Sequence, residues 1–245
     1  MRIIAGQRRG HKIESPTDKK TRPTSDMVRE SIFNLLGAEV EGAVALDLFA
    51  GTGALGLEAL SRGAVRAIFV DIDRELVSLI RRNTATLRYE DRASIFCADV
   101  YRFMKMHQPD SDRPTIVFID PPYREYENHP ERVRRLLEIL WERLPAGSAV
   151  VLETGEDQSE QTLVEPWEWD ARHYGGTEIA IAWKPNERGP GDAIPTDFEP
   201  ERETAELDPE SDSNTESDPN VVSDRGLDFH SHAGLGSAAD QKADS

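Results

Sequence analysis

The sequence predicts an α/β fold whose seven-stranded sheet is mostly parallel and ends in an antiparallel hairpin. From residue 43 onward, short apolar runs typical of buried strands alternate with segments in which apolar residues recur at helical spacing. This alternation favours parallel strands joined by right-handed helical crossovers. The last two strand-like runs meet at Gly175-Gly176, which predicts the closing hairpin.

The first 42 residues precede this alternation and predict an N-terminal extension made of a small hairpin and a helix. The stretch RIIAGQRRGHKIESP alternates apolar and polar residues around two glycines, which is typical of a hairpin. Pro23 and the Thr-Ser-Asp that follows it form a helix-start signal. Apolar residues at helical spacing continue the helix until Gly37 closes it, namely Val28, Ile32, Leu35 and Leu36.

Residues 43–184 supply the sheet, and the 184 residues before the tail are together the right size for one domain. Five strands are predicted before the hairpin, at AVALDLF, VRAIFVD, ASIFC, TIVFID and SAVVLE, and the hairpin lies in EWDARHYGGTEIAIAWK. Helices are predicted between them, in ALGLEALSR, from about Arg74 to Leu87, near Val100 to Met106, and from Val133 to Leu144.

Charge separates the end of the chain from the rest. The 245 residues carry a formal net charge of -17, and residues 185–245 alone hold 16 Asp and Glu against 4 Lys and Arg. Only eight of those 61 residues are Ile, Leu, Val, Phe or Met, too few to bury a core that offsets the entropy of the chain. Residues 185–245 are therefore predicted to form an acidic, disordered tail.

Several classes of protein are excluded by the sequence. No apolar run is long enough to span a membrane, and the N-terminus lacks the apolar segment of a secretion signal. Cys97 is the only cysteine, and the six His have no metal-binding spacing, so neither disulfides nor a metal site are expected. Cys97 ends an apolar strand and is expected to pack in the core. The prediction is a cytoplasmic, metal-free monomer.

The N-terminal extension is basic although the protein is acidic. Residues 1–24 contain seven Lys or Arg against two carboxylates. A solvated arm explains such a stretch, and so does a surface that binds nucleic-acid phosphates. The hairpin pattern favours the second interpretation, because it predicts an ordered segment rather than a free end.

Glycines and carboxylates follow the first two strands, where the ligands of an open parallel sheet bind. Gly51, Gly53 and Gly56 have the G-x-G-x-x-G spacing of an adenosine-cofactor loop. Asp71 lies 20 residues after Gly51, where a carboxylate can hold ribose hydroxyls. NAD, S-adenosylmethionine and a tight turn without a ligand are the alternatives. Asp47 would repel a pyrophosphate but suits the ammonium and sulfonium groups of S-adenosylmethionine.

Two further carboxylates lie near strand ends. Asp99 follows the third strand, where it can accept a hydrogen bond from the adenine amino group or cap the next helix. The sequence supports these two roles equally. Asp73 is expected to be a helix cap rather than a ligand.

The tetrad Asp120-Pro121-Pro122-Tyr123 follows the fourth strand. Two prolines stop the strand ladder and stiffen a turn, so a purely structural role is one interpretation. The other is chemical, because a carboxylate and a carbonyl beside a methyl donor would bind a nucleobase amine and localise its lone pair on nitrogen. Tyr123 could stack on that base once the nucleotide has left its stack.

The tetrad and the Asp47-to-Gly53 loop resemble those of Rossmann-like, S-adenosylmethionine-dependent amino-methyltransferases. RIIAGQRRGHKI, RPTSDMVRESIFNLL, LDLFAGTGALGLEALSRGA and FIDPPY occur in that order, so residues 1 to about 184 resemble the bacterial RsmD-type family. The resemblance implies methylation of the N2 amine of guanine(966) in 16S ribosomal RNA. In that family the tetrad often ends in Phe, and Tyr123 keeps the ring face. The tail has no counterpart in the family.

The resemblance also implies roles for single residues. The Asp47-to-Gly53 loop, which includes Phe49, would hold the methionine part of the cofactor, Asp71 the ribose and Asp99 the adenine. In the tetrad, Asp120 and Pro121 would engage the target amine on a turn stiffened by Pro122, and Tyr123 would cover the base plane.

Five arginines would face RNA by the same resemblance, namely Arg2, Arg8, Arg9, Arg22 and Arg29. Arg29 is the weakest of them, because it lies in a helix where it could pair with Asp26 or Glu30 instead.

The sequence therefore predicts a methyltransferase that uses S-adenosylmethionine and acts on 16S ribosomal RNA, within the small ribosomal subunit. Its rivals are a DNA adenine-N6 methyltransferase, an NAD-dependent oxidoreductase and a non-catalytic RNA-binding assembly factor. Residues 43–184 leave no room for a large DNA-recognition segment, and Asp47 argues against NAD. The assembly factor stays open until catalysis is tested.

Overall fold

Strands and helices alternate along the chain in the computed structural model, which describes residues 1–16, 26–109, 111–155, 162–163 and 165–185. The strands are β1 (Val44–Leu48), β2 (Arg66–Asp71), β3 (Ala93–Cys97), β4 (Thr115–Ile119), β5 (Ala149–Gly155), β6 (Trp169–Tyr174) and β7 (Thr177–Trp183). The α-helices are α1 (Asp26–Leu36), α2 (Ala54–Ser61), α3 (Arg74–Leu87), α4 (Val100–Met106), α5 (Tyr123–Asn128) and α6 (Pro130–Arg143). Short 3-10 turns cover Gly6–Arg8, Gly37–Val40 and Glu90–Arg92.

The seven strands form one sheet in the order β3-β2-β1-β4-β5-β7-β6. β1 pairs in parallel with β2 and β4, and these pair in parallel with β3 and β5. β7 lies antiparallel between β5 and β6. The predicted fold class is confirmed. The strand order reverses between β1 and β4, because β2 and β3 lie on one side of β1, and β4 and β5 lie on the other. Ligands of such sheets bind at the carboxyl ends of the strands at this point.

Helices cover both faces of the sheet. Successive residues of a strand point to opposite faces, and in the central strands the side chains on both faces are largely apolar and buried. On β1, Ala45 packs in the cluster that contains residues of α1, α2 and α3, whereas Leu46 packs with α4 and α6. Phe33 of α1 meets Phe118 of β4 with ring centroids 5.6 Å apart. Each fully buried side chain of this kind stabilises the fold by about 1.5–3 kcal/mol, which fixes the central strands from both sides.

The predicted N-terminal hairpin is present and is docked on the domain. Arg2 and Lys12 form an antiparallel bridge, and the Ile3 N–H donates to the His11 carbonyl at 3.0 Å. Ile3 and Ile13 are buried in the same core as α1 and α2. The apolar residues of the alternating pattern therefore anchor the hairpin. Its basic residues are exposed, apart from the half-buried Arg8.

Two features differ from the expectations drawn from the sequence. The helix α5 begins at Tyr123, directly after the two prolines, where the sequence predicts only a stiff turn. Cys97 is exposed, so the prediction that it packs in the core is wrong. The reason is that β3 is the edge strand of the sheet, and the helices that cover the central strands leave the end of this one accessible.

In the described part of the chain, no helix is long and apolar enough to cross a membrane. The same residues contain no group of three or more His, Cys, Asp or Glu side chains that could hold a metal ion. The acidic tail falls outside the residues described, apart from Pro185, so its predicted disorder stays a prediction. The domain boundaries proposed at residues 42 and 184 also stay predictions.

Candidate active site

The loop between β1 and α2 uses glycine where its backbone is left-handed. Gly51 and Gly53 have φ angles of 56° and 76°. A Cβ at Gly53 would lie 3.3 Å from Phe69 and Ile80, whereas a Cβ at Gly51 would meet only the Phe49 carbonyl, at 3.9 Å. Gly53 is therefore required by the packing beneath the loop. Gly51 borders open space, where a ligand can approach the backbone.

Two carboxylates hold this loop in shape. Asp47 Oδ2 accepts a hydrogen bond from the Gly56 N–H at 2.9 Å. Asp71 Oδ2 accepts one from the Gly51 N–H at 2.8 Å, and its Oδ1 accepts one from the Asp73 N–H at 2.9 Å. The loop is thus bonded to the ends of both β1 and β2 by the side chains that were predicted to bind the cofactor.

Burial controls the charge of both carboxyl groups. Asp47 is 2% exposed, and burial raises its pKa to about 8, while the Gly56 hydrogen bond opposes this rise and nearby Asp71 adds to it. Burial also raises the pKa of Asp71, although hydrogen bonds from the Asp73 and Gly51 backbone lower it. Asp47 therefore holds a proton at neutral pH and would lose it when a cation binds beside it.

Asp99 and Asp73 both begin helices. Asp99 Oδ1 accepts a hydrogen bond from the Arg102 N–H at 2.8 Å as the N-cap of α4, and its Oδ2 accepts one from Arg132 Nη2 at 3.0 Å. Asp73 caps α3 by accepting a hydrogen bond from the Glu75 N–H at 2.7 Å. The capping interpretation of both residues is confirmed. The adenine-binding role of Asp99 stays a prediction.

A charged and aromatic cluster next to Asp99 was not predicted. The Arg132 guanidinium carbon lies 3.9 Å from the centroid of the Tyr101 ring, and Arg132 Nη1 lies 3.6 Å from Glu125 Oε2. The Tyr101 hydroxyl donates to the same Glu125 oxygen at 3.1 Å. The Tyr101 ring also meets the Phe49 ring edge-on, with centroids 5.8 Å apart. This cluster connects α4, α5 and α6 to the glycine loop.

The tetrad lies immediately after β4. Asp120 is half-buried and Pro121 is buried, while Pro122 precedes α5 and Tyr123 is 54% exposed. Tyr126, one turn into α5, is buried and donates its hydroxyl to a β5 carbonyl at 2.6 Å. Burial raises the pKa of Tyr126, and the nearby Asp120 carboxylate raises it further. Tyr126 therefore fixes the start of α5 and with it the tetrad.

The pairing of β1 with β4 brings the two predicted motifs to one edge. Asp47 lies opposite Phe118, two residues before Asp120. The glycine loop that follows Asp47 and the tetrad that begins with Asp120 therefore leave neighbouring strands at the same end. Cofactor loop and candidate catalytic turn are adjacent, as the strand-end positions predict.

Three of the predicted RNA-contacting arginines lie on the described hairpin and differ in their exposure to solvent. Arg2 and Arg9 are exposed on the hairpin. Arg8 is half-buried, because its Nε donates to a carbonyl at the end of α3 at 2.9 Å. Arg22 lies outside the described residues. Contact between any of them and RNA stays a prediction.

Arg29 was predicted to face RNA, and that prediction is wrong. Its side chain is fully buried, and Nη2 donates to Asp26 Oδ1 at 2.6 Å and to the Arg2 carbonyl at 3.0 Å. The physical reason is that this face of α1 packs against the domain and the hairpin, so the guanidinium serves as an internal link. Pairing with Asp26, the alternative considered for Arg29, is what occurs.

Comparison with known proteins decides the family. A family model described as conserved hypothetical protein 95 matches residues 1–183. The YlbH protein of Bacillus subtilis is 37% identical over 184 residues, which cover 74% of this chain and 97% of that relative. The ribosomal RNA small subunit methyltransferase D of Haemophilus influenzae is 33% identical over 172 residues, covering 69% of this chain and 84% of the relative. The chain belongs to the RsmD-type methyltransferase family.

Solved structures agree with membership of the RsmD-type family. The yhhF protein from Escherichia coli superposes with a TM-score of 0.64 at 31% identity, covering 76% of this chain and 98% of that one. An RNA methyltransferase from Salinibacter ruber, solved with S-adenosyl-L-homocysteine, has a TM-score of 0.50 at 22% identity, covering 73% and 99%. The second likeness shows the Rossmann-like methyltransferase fold.

Two buried polar residues of this RsmD-type chain were missed by sequence reasoning. Glu58 on α2 is fully buried and accepts hydrogen bonds from the Ile4 and Ala5 N–H groups at 2.8 and 2.9 Å. Asn83 on α3 is fully buried and contacts the hairpin at Glu14. The sequence signal that could have indicated them is a polar residue among the buried apolar positions of a helix. It could not reveal hairpin partners more than 50 positions away in sequence.

Proposed function

We propose that this RsmD-type chain transfers a methyl group from S-adenosylmethionine to the exocyclic N2 amine of a guanine in 16S ribosomal RNA. By the family resemblance the base is guanine(966), and the substrate is the small ribosomal subunit during its maturation. One observation supports the proposal above the others. The aspartate-fastened glycine loop and the Asp120–Tyr123 tetrad leave neighbouring parallel strands at the same edge.

The groups around the loop suit S-adenosylmethionine. Asp47 and Asp71 are carboxyl groups in a largely buried setting, where a positively charged ligand is favoured and a pyrophosphate is disfavoured. The open space at Gly51 lets the ligand approach the backbone. Asp71 would hold the ribose and Asp99 the adenine, each through a carboxylate oxygen that accepts a further hydrogen bond. When bound, the cofactor supplies an electrophilic methyl group on its sulfonium.

The tetrad supplies the groups that a nucleobase amine needs. The lone pair of a guanine N2 amine is conjugated with the ring, which makes the amine a poor nucleophile. Asp120 and the Pro121 carbonyl would accept its two N–H groups and localise the lone pair towards the methyl group. The nitrogen would then take the methyl group from the sulfonium, whose sulfur would keep the electron pair of the broken bond, and Asp120 would accept the proton that the nitrogen loses.

Access to this site requires a single nucleotide taken out of its stack. The exposed ring of Tyr123 would cover the plane of that base. Arg2 and Arg9 of the hairpin are exposed and would contact phosphates of the surrounding RNA. Such contacts hold the RNA in position, while the pocket at the sheet edge selects the base.

The test is methyl transfer from labelled S-adenosylmethionine to small ribosomal subunits and naked 16S RNA that lack the modification, with unmethylated DNA as a parallel substrate. Nuclease digestion should yield labelled N2-methylguanosine. Asp120→Ala should lower the rate by roughly 30- to 1,000-fold with cofactor affinity unchanged, equivalent to about 2–4 kcal/mol of transition-state stabilisation. Asp91→Ala, on an exposed turn, is the matched control and should keep full activity. Label found only as N6-methyladenine in DNA, or unchanged activity of Asp120→Ala, would refute the proposal.

A further inference from the structure

Asn83 of α3 uses its whole amide group in contacts between two distant segments. The side chain is fully buried. Its Oδ1 accepts a hydrogen bond from the Glu14 N–H at 2.8 Å, and its Nδ2 donates to the Glu14 carbonyl and to the Thr52 carbonyl, both at 3.1 Å. One side chain therefore bonds the end of the N-terminal hairpin and the middle of the glycine loop.

The position of Thr52 makes this link functional rather than only structural. Thr52 directly follows Gly51, whose backbone borders open space, and precedes Gly53, which packs on Phe69 and Ile80. A second contact joins the same segments, because the Thr52 hydroxyl lies 3.7 Å from the Met1 sulfur. A shift of the loop backbone must therefore move hairpin atoms or break bonds to them.

We propose that Asn83 is a positioning residue that couples the glycine loop to the N-terminal hairpin. Cofactor binding orders the hairpin through Asn83, and RNA bound by the hairpin strengthens cofactor binding to the same degree, because coupling between two sites is reciprocal. This inference rests on the proposed function, since it requires a cofactor in the loop. The Asn83 contacts would link the binding of the cofactor to the binding of RNA, which the tetrad does not do.

The hairpin has a second attachment that serves as a control. Ser61, at the end of α2, accepts a hydrogen bond from the Arg8 N–H at 3.0 Å and donates to the Ala5 carbonyl. The hairpin backbone is close to α2 there, since a Cβ at Gly6 would lie 1.9 Å from the Ser61 carbonyl. Ser61 holds the hairpin without contacting the glycine loop. Loss of its hydroxyl should loosen the hairpin and leave the Asn83 contacts intact.

The inference is tested by amide hydrogen exchange of the full chain with and without saturating S-adenosylhomocysteine. In the wild type, exchange at the Ile13 and Glu14 amides should slow by about five- to tenfold on binding, a coupling of ordinary size. In Asn83→Asp the carboxylate cannot donate to the Thr52 carbonyl, so the slowing should fall below about twofold although the ligand still binds. Asn83→Ser is a second, less polar variant with the same expectation. Ser61→Ala should exchange faster overall but keep the wild-type slowing.

The outcomes separate this inference from the proposed function. If S-adenosylhomocysteine does not bind the wild type, both are overturned. If it binds and wild-type hairpin exchange is unchanged, only the coupling is overturned, and this comparison stands even should the Asn83 variants fail to fold. Equal slowing in Asn83→Asp and the wild type, or its loss in Ser61→Ala, also refutes the role of Asn83.

Discussion

The buried carboxyl of Asp47 predicts that cofactor binding depends on pH. In the ligand-free protein its pKa is raised to about 8 by burial. A positively charged ligand favours the ionised form, so below pH 8 the group must release a proton when the cofactor binds. Affinity for S-adenosylmethionine should therefore rise with pH between 6 and 8.

The size of this effect follows from the pKa. At pH 6 only about 1% of Asp47 is ionised, and at pH 8 about half, so the dissociation constant should fall by about 50-fold, or about 2.3 kcal/mol at 1.36 kcal/mol per unit. The slope of log Kd against pH should be close to minus one below pH 7, because one proton is released on binding.

Isothermal titration calorimetry in buffers of different ionisation enthalpy measures both the affinity and the proton released. Asp47→Asn should bind more weakly at pH 8, with no pH slope of its own and no proton release. Asp73→Asn, which alters an exposed helix cap at the same edge, is the matched control and should keep the wild-type slope. Equal wild-type dissociation constants at pH 6 and pH 8 would refute the assignment of Asp47 as the group that meets the cofactor's charge.

Three further predictions concern packing, RNA contact and the tail. Gly56→Ala should destabilise the fold by about 1–3 kcal/mol in denaturant unfolding, because the new Cβ would lie 2.4 Å from the Phe69 ring; wild-type stability would contradict this. Arg29→Ala should lower the free energy of unfolding by about 2–4 kcal/mol, because its side chain is buried. Arg9→Ala should leave the free energy of unfolding unchanged and reduce the salt dependence of RNA binding. The reverse pattern would restore Arg29 as an RNA contact. Deleting residues 185–245 should strengthen RNA binding at low salt but not at high salt, and unchanged low-salt affinity would exclude electrostatic competition by the tail.

The sheet and the location of the site could be predicted from the sequence because their signals are local. Buried strands, the glycine loop and the tetrad each occupy a short run of residues whose spacing carries the information. Once the strands are parallel, the position of Asp47 and Asp120 at one edge follows from topology alone. The final hairpin could be predicted too, from Gly175-Gly176. The insertion of β7 between β5 and β6 could not, since it depends on pairing between strands distant in sequence.

The parts that could not be predicted depend on contacts across the fold. Arg29 has the same basic side chain as Arg9, and only the packing of α1 decides that one is buried and the other exposed. Asn83 reaches Glu14 across 69 positions of sequence, which no periodicity reveals. Cys97 ends an apolar strand, but its exposure depends on the place of β3 at the border of the sheet.

The antiparallel direction of β7 limits what any segment attached after it can reach. Trp183 pairs with Ala149, the first residue of β5, so the chain leaves the sheet at the end opposite Asp47 and Asp120. Ala149 in turn lies opposite Ile116, four residues before Asp120, which is about 13 Å along the strand. A short tag fused directly after β7 would therefore begin at the sheet edge opposite the candidate site.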